Sequence, residues 1–133
     1  MEAPSFRKVM IVMALIFACQ RKSSSEEVLE RFCSNSVNPE YSAQVMSETA
    51  SLINSVPNNK YSYLIWNSFN VNGRTMPFWA HGACNGQVDA GTCQGCLTLA
   101  LYHLNTCLGK IGGHVKATNC RLRYESYKFD FIW

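Results

Sequence analysis

Six cysteines between Cys33 and Cys120 constrain the fold of this chain more than any other feature of its sequence. They stand at positions 33, 84, 93, 96, 107 and 120 of a sequence of 133 residues. A chain of that length is expected to form one domain. Such a small domain has a modest hydrophobic core, and disulfide bonds are the usual compensation in an oxidising compartment. The sequence therefore predicts a single disulfide-stapled domain.

The seventh cysteine, Cys19, belongs to a segment that differs from the rest of the chain. Residues 9–19 are all apolar and follow the basic pair Arg7-Lys8. This run is too short to cross a hydrocarbon core, which needs about 20 residues, whereas its length and basic flank are typical of a signal peptide. We predict that residues 1–25 are a signal peptide and that residues 26–133 are a secreted domain with no membrane span.

The charge of the chain excludes one class of partner. The formal net charge is +3, but the predicted signal peptide holds four of the 12 Lys and Arg residues and only one of the nine Asp and Glu residues. The remainder is neutral, whereas a domain that binds nucleic acid needs a basic stripe on its surface. We expect no nucleic-acid partner.

Two segments have the pattern of amphipathic helices. The first begins at Asn38-Pro39, a helix cap followed by a proline in the first helical position, and ends at Pro57-Asn58-Asn59. The second begins after Asp89, a good N-cap, and places residues 93, 96, 97, 100, 101, 104 and 108 on one apolar face. Gly109 ends it.

The remaining segments favour strands. Residues 61–69 and 78–84 are rich in β-formers, and a first strand is expected around Phe32-Cys33. Residues 114–127 alternate with period 2, with a change of phase that implies a bulge or break near Thr118-Asn119. This order of elements predicts an α+β fold, with an antiparallel sheet of about five strands and two helices on one face.

The pair Cys93 and Cys96 permits three interpretations. As a C-x-x-C motif it suits a thiol redox centre, but such a site normally follows a buried strand in a βαβ unit. A zinc site with His103 or Cys107 would show two close pairs of ligands, and only one is present. The secretory context favours the third interpretation, in which both cysteines form structural disulfides.

The cysteine spacing resembles that of a plant family. Cys84-x8-Cys93-x2-Cys96, followed by Cys107 and Cys120, is similar to the ginkbilobin-homologous, or stress-antifungal, domain. The segments Tyr41-Ser-Ala-Gln-Val45 and Cys120-Arg-Leu-Arg-Tyr-Glu125 resemble its first-helix and closing motifs. The resemblance implies the pairing Cys33–Cys107, Cys84–Cys93 and Cys96–Cys120, and it covers residues 33–129.

The resemblance also implies a candidate carbohydrate site. Members that act as antifungal lectins bind mannose through an Asn, an Arg and a Glu, and the corresponding positions here are Ser34, His114 and Glu125. Only Glu125 keeps the residue type. Ser34 can still accept or donate a hydrogen bond in place of the Asn, but His114 lacks the permanent charge and the fixed donor fork of the Arg that it replaces. Mannose binding is therefore expected to be weak at best.

Nothing else in the sequence forms a recognisable catalytic set. His81 and His103 are expected to be structural, and no Ser/His/Asp or Cys/His arrangement stands out. The aromatic residues at positions 61, 63, 66, 69, 78 and 79 suit a sugar-stacking platform, although core packing is the preferred explanation. We expect no enzyme activity, no cofactor and no metal.

Two functions follow from the resemblance. The first is a secreted defence protein of the apoplast, antifungal and a weak mannose-binding lectin, whose partner is cell-wall mannan. The alternative is a non-lectin module, related to receptor-kinase ectodomains, that binds an extracellular protein. Because the Asn and the Arg of the mannose site are both replaced here, the sequence favours the protein-binding alternative more than a complete mannose site would.

Overall fold

The computed structural model of the protein describes residues 26–130, so the predicted signal peptide, residues 1–25, lies outside the described residues. The elements in chain order are strand β1 (Val28–Cys33), helices α1 (Pro39–Ala50) and α2 (Leu52–Asn58), strands β2 (Ser62–Val71) and β3 (Arg74–Cys84), helix α3 (Ala90–Leu104), a 3-10 turn (Asn105–Cys107), and strands β4 (Gly113–Ala117) and β5 (Cys120–Glu125).

The first predicted helix is present but is interrupted at Ser51. Asn38 caps its start, with the side-chain oxygen accepting the backbone N–H of Tyr41 at 3.2 Å, and Pro39 follows at the first helical position. At the other end the Ser51 hydroxyl donates to the carbonyl of Glu48 at 2.6 Å. A serine hydroxyl that bonds to the backbone competes with the helical hydrogen bonds, and the chain continues as the separate helix α2.

Helix α3 begins at its predicted cap. The Asp89 carboxylate accepts the backbone N–H of Thr92 at 2.7 Å, which satisfies one of the N–H groups that a helix start leaves open. Leu108, which the helical spacing placed on the apolar face, is exposed because the helix tightens into the 3-10 turn at Asn105. The buried residues of α3 are Cys93, Cys96, Leu97, Ala100 and Leu104.

The strands form one antiparallel five-stranded sheet in the order β1-β4-β5-β3-β2. Among the strands of residues 26–130, β1 pairs with β4 alone and β2 pairs with β3 alone, so these two strands are the edges of the sheet. The change of phase predicted near Thr118-Asn119 is the turn that joins β4 to β5, where Lys116 pairs with Arg121. The predicted break is thus confirmed as a tight hairpin turn.

All the helices pack on one face of the sheet, as predicted, and the core lies between the two layers. Helix α2 comes closest at Gly82, where an added Cβ atom would lie 2.8 Å from the Val56 Cγ2 atom. The hydroxyl of buried Tyr124 donates towards the carbonyls of Cys107 and Lys110, at 3.2 and 3.0 Å, and so fixes the chain that follows α3. The predicted α+β architecture is confirmed, with its first helix in two segments.

Three disulfide bonds hold this arrangement. Cys93 and Cys96 belong to different bonds, so the thiol redox interpretation of the C-x-x-C motif is wrong. The described residues also contain no group of His, Cys, Asp and Glu side chains that could hold a metal ion. The bonds are those that the resemblance implied, with Cα–Cα distances of 5.2, 5.6 and 5.9 Å for Cys33–Cys107, Cys84–Cys93 and Cys96–Cys120.

No helix of the described residues packs on the other face of the sheet. Because alternate side chains of a strand point to opposite faces, the pairing register lines up the residues of this helix-free face in rows across the strands. One row crosses all five strands from β1 to β2, through Phe32, His114, Arg123, His81 and Leu64.

Candidate functional site

The structure brings the three predicted sugar-site residues to one corner of the helix-free face. Ser34 directly follows β1, and its backbone N–H donates to the carbonyl of Gly112 at 2.9 Å. Glu125 lies on the far side of Gly112, at the end of β5, and His114 lies in the neighbouring row of β4. We call Ser34, Gly112, His114, Arg123 and Glu125 the corner site.

Gly112 is what brings the Glu125 carboxylate into this corner. A Cβ atom built on Gly112 would lie 2.6 Å from Glu125 Oε2 and 2.9 Å from Oε1, so the carboxylate occupies the space that a side chain would take. Any larger residue at position 112 would have to displace the carboxylate. The glycine therefore allows the carboxylate to lie over the backbone segment that Ser34 contacts.

The Glu125 carboxylate is buried and has internal partners. Its residue is only 6% exposed, the Arg123 Nε atom lies 3.6 Å from Oε1, and Tyr127 supplies a side-chain hydrogen bond. Burial raises the pKa of Glu125, and the charge of Arg123 with these hydrogen bonds partly offsets that rise. A sugar would have to compete with these internal contacts to reach the carboxylate.

The Ser34 hydroxyl is also used within the protein. Its oxygen accepts the backbone N–H of Ser36 at 3.1 Å, in the exposed segment after β1. A hydroxyl oxygen has a second lone pair and one donor hydrogen, so this contact leaves part of its bonding capacity available. Ser34 therefore retains the chemistry of a minor sugar contact.

His114 lies between Phe32 of β1 and Arg123 of β5, its two cross-strand neighbours. Its Nε2 atom is buried and has no hydrogen-bond partner among the described residues. Burial lowers the pKa of His114, and the nearby Arg121 guanidinium lowers it further, while Glu30 opposes them. At neutral pH the imidazole is accordingly neutral, and the structure does not give position 114 the permanent charge of an arginine.

Arg123 is the residue of this corner that the sequence analysis overlooked. It contacts Glu125, its Nη2 atom donates to the Tyr127 hydroxyl at 3.3 Å, and its guanidinium lies 4.2 Å from the centre of the Phe129 ring. Period-2 alternation in the closing motif would have identified it, because Arg123 shares the parity of Glu125. A guanidinium is thus present beside position 114, although on the neighbouring strand.

The aromatic residues proposed as a platform do not form a single surface. Trp66 and Trp79 are cross-strand neighbours on the helix-free face, with ring centroids 6.3 Å apart and planes inclined at 52°. Phe69 and Phe78 stack with centroids 4.9 Å apart, and Phe78 is buried in the core on the helix side. Only the tryptophan pair belongs to the helix-free face.

The two other histidines have structural environments. His81 is buried in β3, where its Nε2 atom lies 2.9 Å from the Ser62 hydroxyl. Its pKa is lowered by burial first and by Arg121 second. His103 lies near the end of α3 with its ring edge-on to Tyr102, at a centroid distance of 5.4 Å. Neither histidine lies in the corner site.

Comparison with known proteins assigns the fold. Two Arabidopsis thaliana tandem DUF26 ectodomains, those of the cysteine-rich receptor-like proteins PDLP5 and PDLP8, superimpose on the chain with TM-scores of 0.66 and 0.62. Their sequence identities are 19% and 15%, and each match covers 77% of this chain. The chain spans about half of each ectodomain, 51% and 50% respectively. A search of curated proteins finds no match.

The sequence itself matches one family. The family described as salt stress response/antifungal matches residues 18–127, which is most of the chain. The matched residues contain all six cysteines of the three disulfide bonds observed here. Among residues 26–130 no helix is long and apolar enough to span a membrane. The chain belongs to the salt stress response/antifungal family, also known as the DUF26 family.

Proposed function

We propose that this chain is a secreted, non-catalytic domain of the apoplast that recognises another extracellular protein through its helix-free face. One observation carries the proposal: large apolar side chains stand exposed on a sheet face that no helix covers. Phe32 is 59% exposed, Trp66 is 66% exposed and Leu64 is 39% exposed. Leu64 and Trp66 form a group on β2, and Phe32 lies at the opposite edge of the same face, on β1. Grouped apolar side chains on a surface mark interaction sites, whereas scattered ones need no explanation.

The chemistry between these apolar side chains also suits a protein partner. Arg123 lies in the same row as Phe32 and Leu64, and its side chain is 30% exposed. Tryptophan and arginine are the residue types that most often dominate binding energy at protein interfaces. The partner expected for such a face presents apolar side chains at its edges and an acceptor for the guanidinium near its centre.

Secretion is supported by three independent features. The predicted signal peptide supplies the route, three disulfide bonds indicate an oxidising compartment, and the fold is that of two plant ectodomains. The family description suggests a role in stress or antifungal defence.

The corner site supports a second candidate, which is weak mannose binding and antifungal action through cell-wall mannan. The specific observation is the position of Arg123, whose guanidinium lies beside Glu125 and next to His114. It supplies the donor fork that His114 lacks. The burial of the carboxylate makes this the weaker candidate, because a sugar hydroxyl must displace an internal partner before it binds.

A capture experiment tests the first candidate. Residues 26–133 are immobilised, exposed to extracellular fluid from leaf tissue, and the retained proteins are quantified by mass spectrometry. We expect Phe32→Ser to reduce retention of the specific partner by about tenfold or more, as for an interface hot spot. Tyr102→Ser is the matched control, because Tyr102 is an exposed aromatic residue on α3. Equal retention by wild type and Phe32→Ser would exclude this face.

A titration with mannan tests the second candidate. Wild type is expected to bind with a dissociation constant of about 1 mM or weaker. Glu125→Gln should abolish the binding, while Ser34→Asn combined with His114→Arg should strengthen it. Mannan binding that is insensitive to Glu125→Gln would show that the sugar binds away from the corner site. Inhibition of hyphal growth, measured with the same variants, tests the antifungal role.

A further inference from the structure

Strand β2 forms an edge of the sheet over its full ten residues, with no described strand beyond it. In an antiparallel pair, successive residues direct their backbone N–H and C=O groups alternately towards the partner and away from it. The Cys84 N–H donates to the Tyr61 carbonyl at 2.9 Å, which places odd-numbered residues of β2 towards β3. Pro77, which has no N–H, accordingly faces an even-numbered residue, Ser68.

The even-numbered residues of β2 therefore direct their backbone groups outwards. Two of these N–H groups have local acceptors: that of Ser62 donates to the Asn59 carbonyl at 3.3 Å, and that of Ser68 to the Asn67 side chain at 2.8 Å. The N–H groups of Leu64 and Trp66, at the centre of the strand, have no protein partner within residues 26–130. The middle of this edge is thus open for strand pairing.

The β2 edge also lacks the features that normally prevent such pairing. Sheet edges are commonly protected by charged residues, proline, bulges or short strand length. The segment Ser62–Val71 contains no charged residue and no proline, and its register with β3 is continuous over all its residues. Seven of its ten side chains are exposed, and no strand of residues 26–130 pairs with its outer edge.

We propose that β2 pairs antiparallel with β2 of a second copy of this chain, about a two-fold axis at Trp66. Only residues whose backbone N–H and C=O groups point outwards can bond across this interface. The two-fold axis therefore lies at one of these residues or midway between two of them. An axis at Trp66 pairs all five outward-facing residues of β2, whereas an axis at Asn67 pairs only four of them. In this register Trp66 faces Trp66 of the second copy, and Leu64 faces Ser68.

A second copy is the occupant that the strand chemistry favours. A two-fold interface brings the same surface patch of both subunits together, so any charge near its centre meets itself. β2 has no charge that would repel its copy, and equally none that would select a charged partner. The two Trp66 side chains would form a cross-strand aromatic pair, which stabilises sheets. The two helix-free faces would become one continuous surface.

The strand pair is smaller than a standard protein interface, so the dimer is expected to be weak, with a dissociation constant of about 10 µM to about 1 mM. Sedimentation of residues 26–133 across that concentration range measures it. Trp66→Lys and Trp66→Glu should each weaken the dimer by about tenfold or more, because like charges would stand opposite each other. An equimolar mixture of the two variants should restore it.

The control for these variants is Tyr102→Lys, which replaces an exposed aromatic residue on α3 by the same cation and should leave the dimer unchanged. Hydrogen exchange of the wild type provides an independent measurement, since the Leu64 and Trp66 amides should become protected as concentration rises. A chain that remains monomeric up to about 1 mM would overturn the proposal. An equal loss of association in Tyr102→Lys would overturn it too, and failure of the charged mixture to reassociate would exclude the axis at Trp66.

This association goes beyond the proposed recognition of another protein, because it requires only the purified chain. Phe32→Ser, which tests the recognition face, lies in β1 at the opposite edge and should not change the sedimentation result. A negative result for the β2 dimer therefore does not contradict the proposed recognition of another protein, and the reverse also holds.

Discussion

The two edge strands of this sheet are protected in opposite ways. Strand β1 is short, carries Glu30 and Arg31, and has an irregular register at Leu29. The N–H of Ser34 donates to the carbonyl of Gly112, directly before β4, so by alternation the backbone groups of Arg31 point outwards. Two copies meeting at this edge would oppose arginine to arginine. Strand β2 is longer, regular and uncharged. The difference shows that only one edge is built to resist pairing.

The disulfide bonds also distinguish the β1 side of the molecule from the β2 side. The three disulfides of the described residues lie among β1, the end of β3, α3, the 3-10 turn and β5, and none of these three reaches α1, α2 or β2. The β2 side of the molecule is held by packing instead, through buried residues such as Tyr41, Leu52 and Phe78. Tyr41 adds a hydrogen bond from its hydroxyl to the Pro77 carbonyl at 2.8 Å. One half of the domain is therefore stapled, and the other depends on its core.

The largest expected effect comes from removing the bond that holds the protected edge. Cys107→Ser should lower the free energy of unfolding by about 2–5 kcal/mol, the usual range for a small secreted domain. Thermal denaturation measures the loss, and a thiol assay should show Cys33 becoming reactive. An unchanged melting temperature would mean that packing alone holds β1, and the contrast between a stapled and an unstapled half would disappear.

A pair of proline variants examines the other edge. Asn67→Pro removes an N–H that points to β3 and leaves the Phe78 carbonyl without its partner, whereas Ser68→Pro removes an N–H that points outwards. Both side chains are exposed. Asn67→Pro should therefore be less stable than Ser68→Pro by about 1–3 kcal/mol, the cost of a buried group left unsatisfied. Equal denaturation midpoints would show that the outward assignment of the even-numbered residues is wrong.

The smallest effect concerns acid stability, which compares two histidines of the helix-free face, His81 on β3 and His114 on β4. Burial lowers the pKa of both His81 and His114 in the folded state. The unfolded chain therefore binds protons more readily, so stability is complete above the ordinary histidine pKa and is lost as the pH falls below it. His81→Gln and His114→Gln should each reduce the loss between about pH 7 and about pH 5.

Denaturation at a series of pH values measures this effect. Glu125 acts in the opposite direction, because its pKa is raised in the folded state and its protonation favours folding as the pH falls. Glu125 contributes equally in the wild type and in the two histidine variants. The difference between a variant and the wild type in the pH dependence of stability therefore reports the imidazole alone. Curves that coincide with the wild type would show that neither histidine is desolvated in the fold.

Local sequence patterns predicted the elements whose boundaries depend on local chemistry. Asn38-Pro39 and Asp89 gave the helix starts because their caps are formed by residues within three positions of them. The interruption at Ser51 was not predicted, since a serine is compatible with a helix until its hydroxyl bonds to the backbone. The disulfide pairing required the family resemblance, because six cysteines permit many pairings.

The sequence named the candidate site residues but not their surroundings. Ser34, His114 and Glu125 remain predicted sugar contacts, and the burial of Glu125 depends on Gly112 and on the tail residues beyond β5, whose positions only the folded chain provides. The contact of Arg123 with Phe129 was missed for the same reason, although period-2 alternation would have placed Arg123 on the same face as Glu125. The open edge at β2 was not recognisable either, since strand order is a property of the whole sheet.

The strand order has a consequence for how the chain folds during its synthesis. Within the part of the chain that the structure describes, β1 has β4 as its one sheet neighbour, and β4 begins at Gly113. The disulfide partner of Cys33 is 74 residues further along the chain. Contacts between distant parts of a sequence form slowly, because a large loop must close first. The first strand made must therefore wait, unpaired, until nearly the whole domain has been synthesised. The charges of Glu30 and Arg31 protect the growing chain during that interval as well as the finished one.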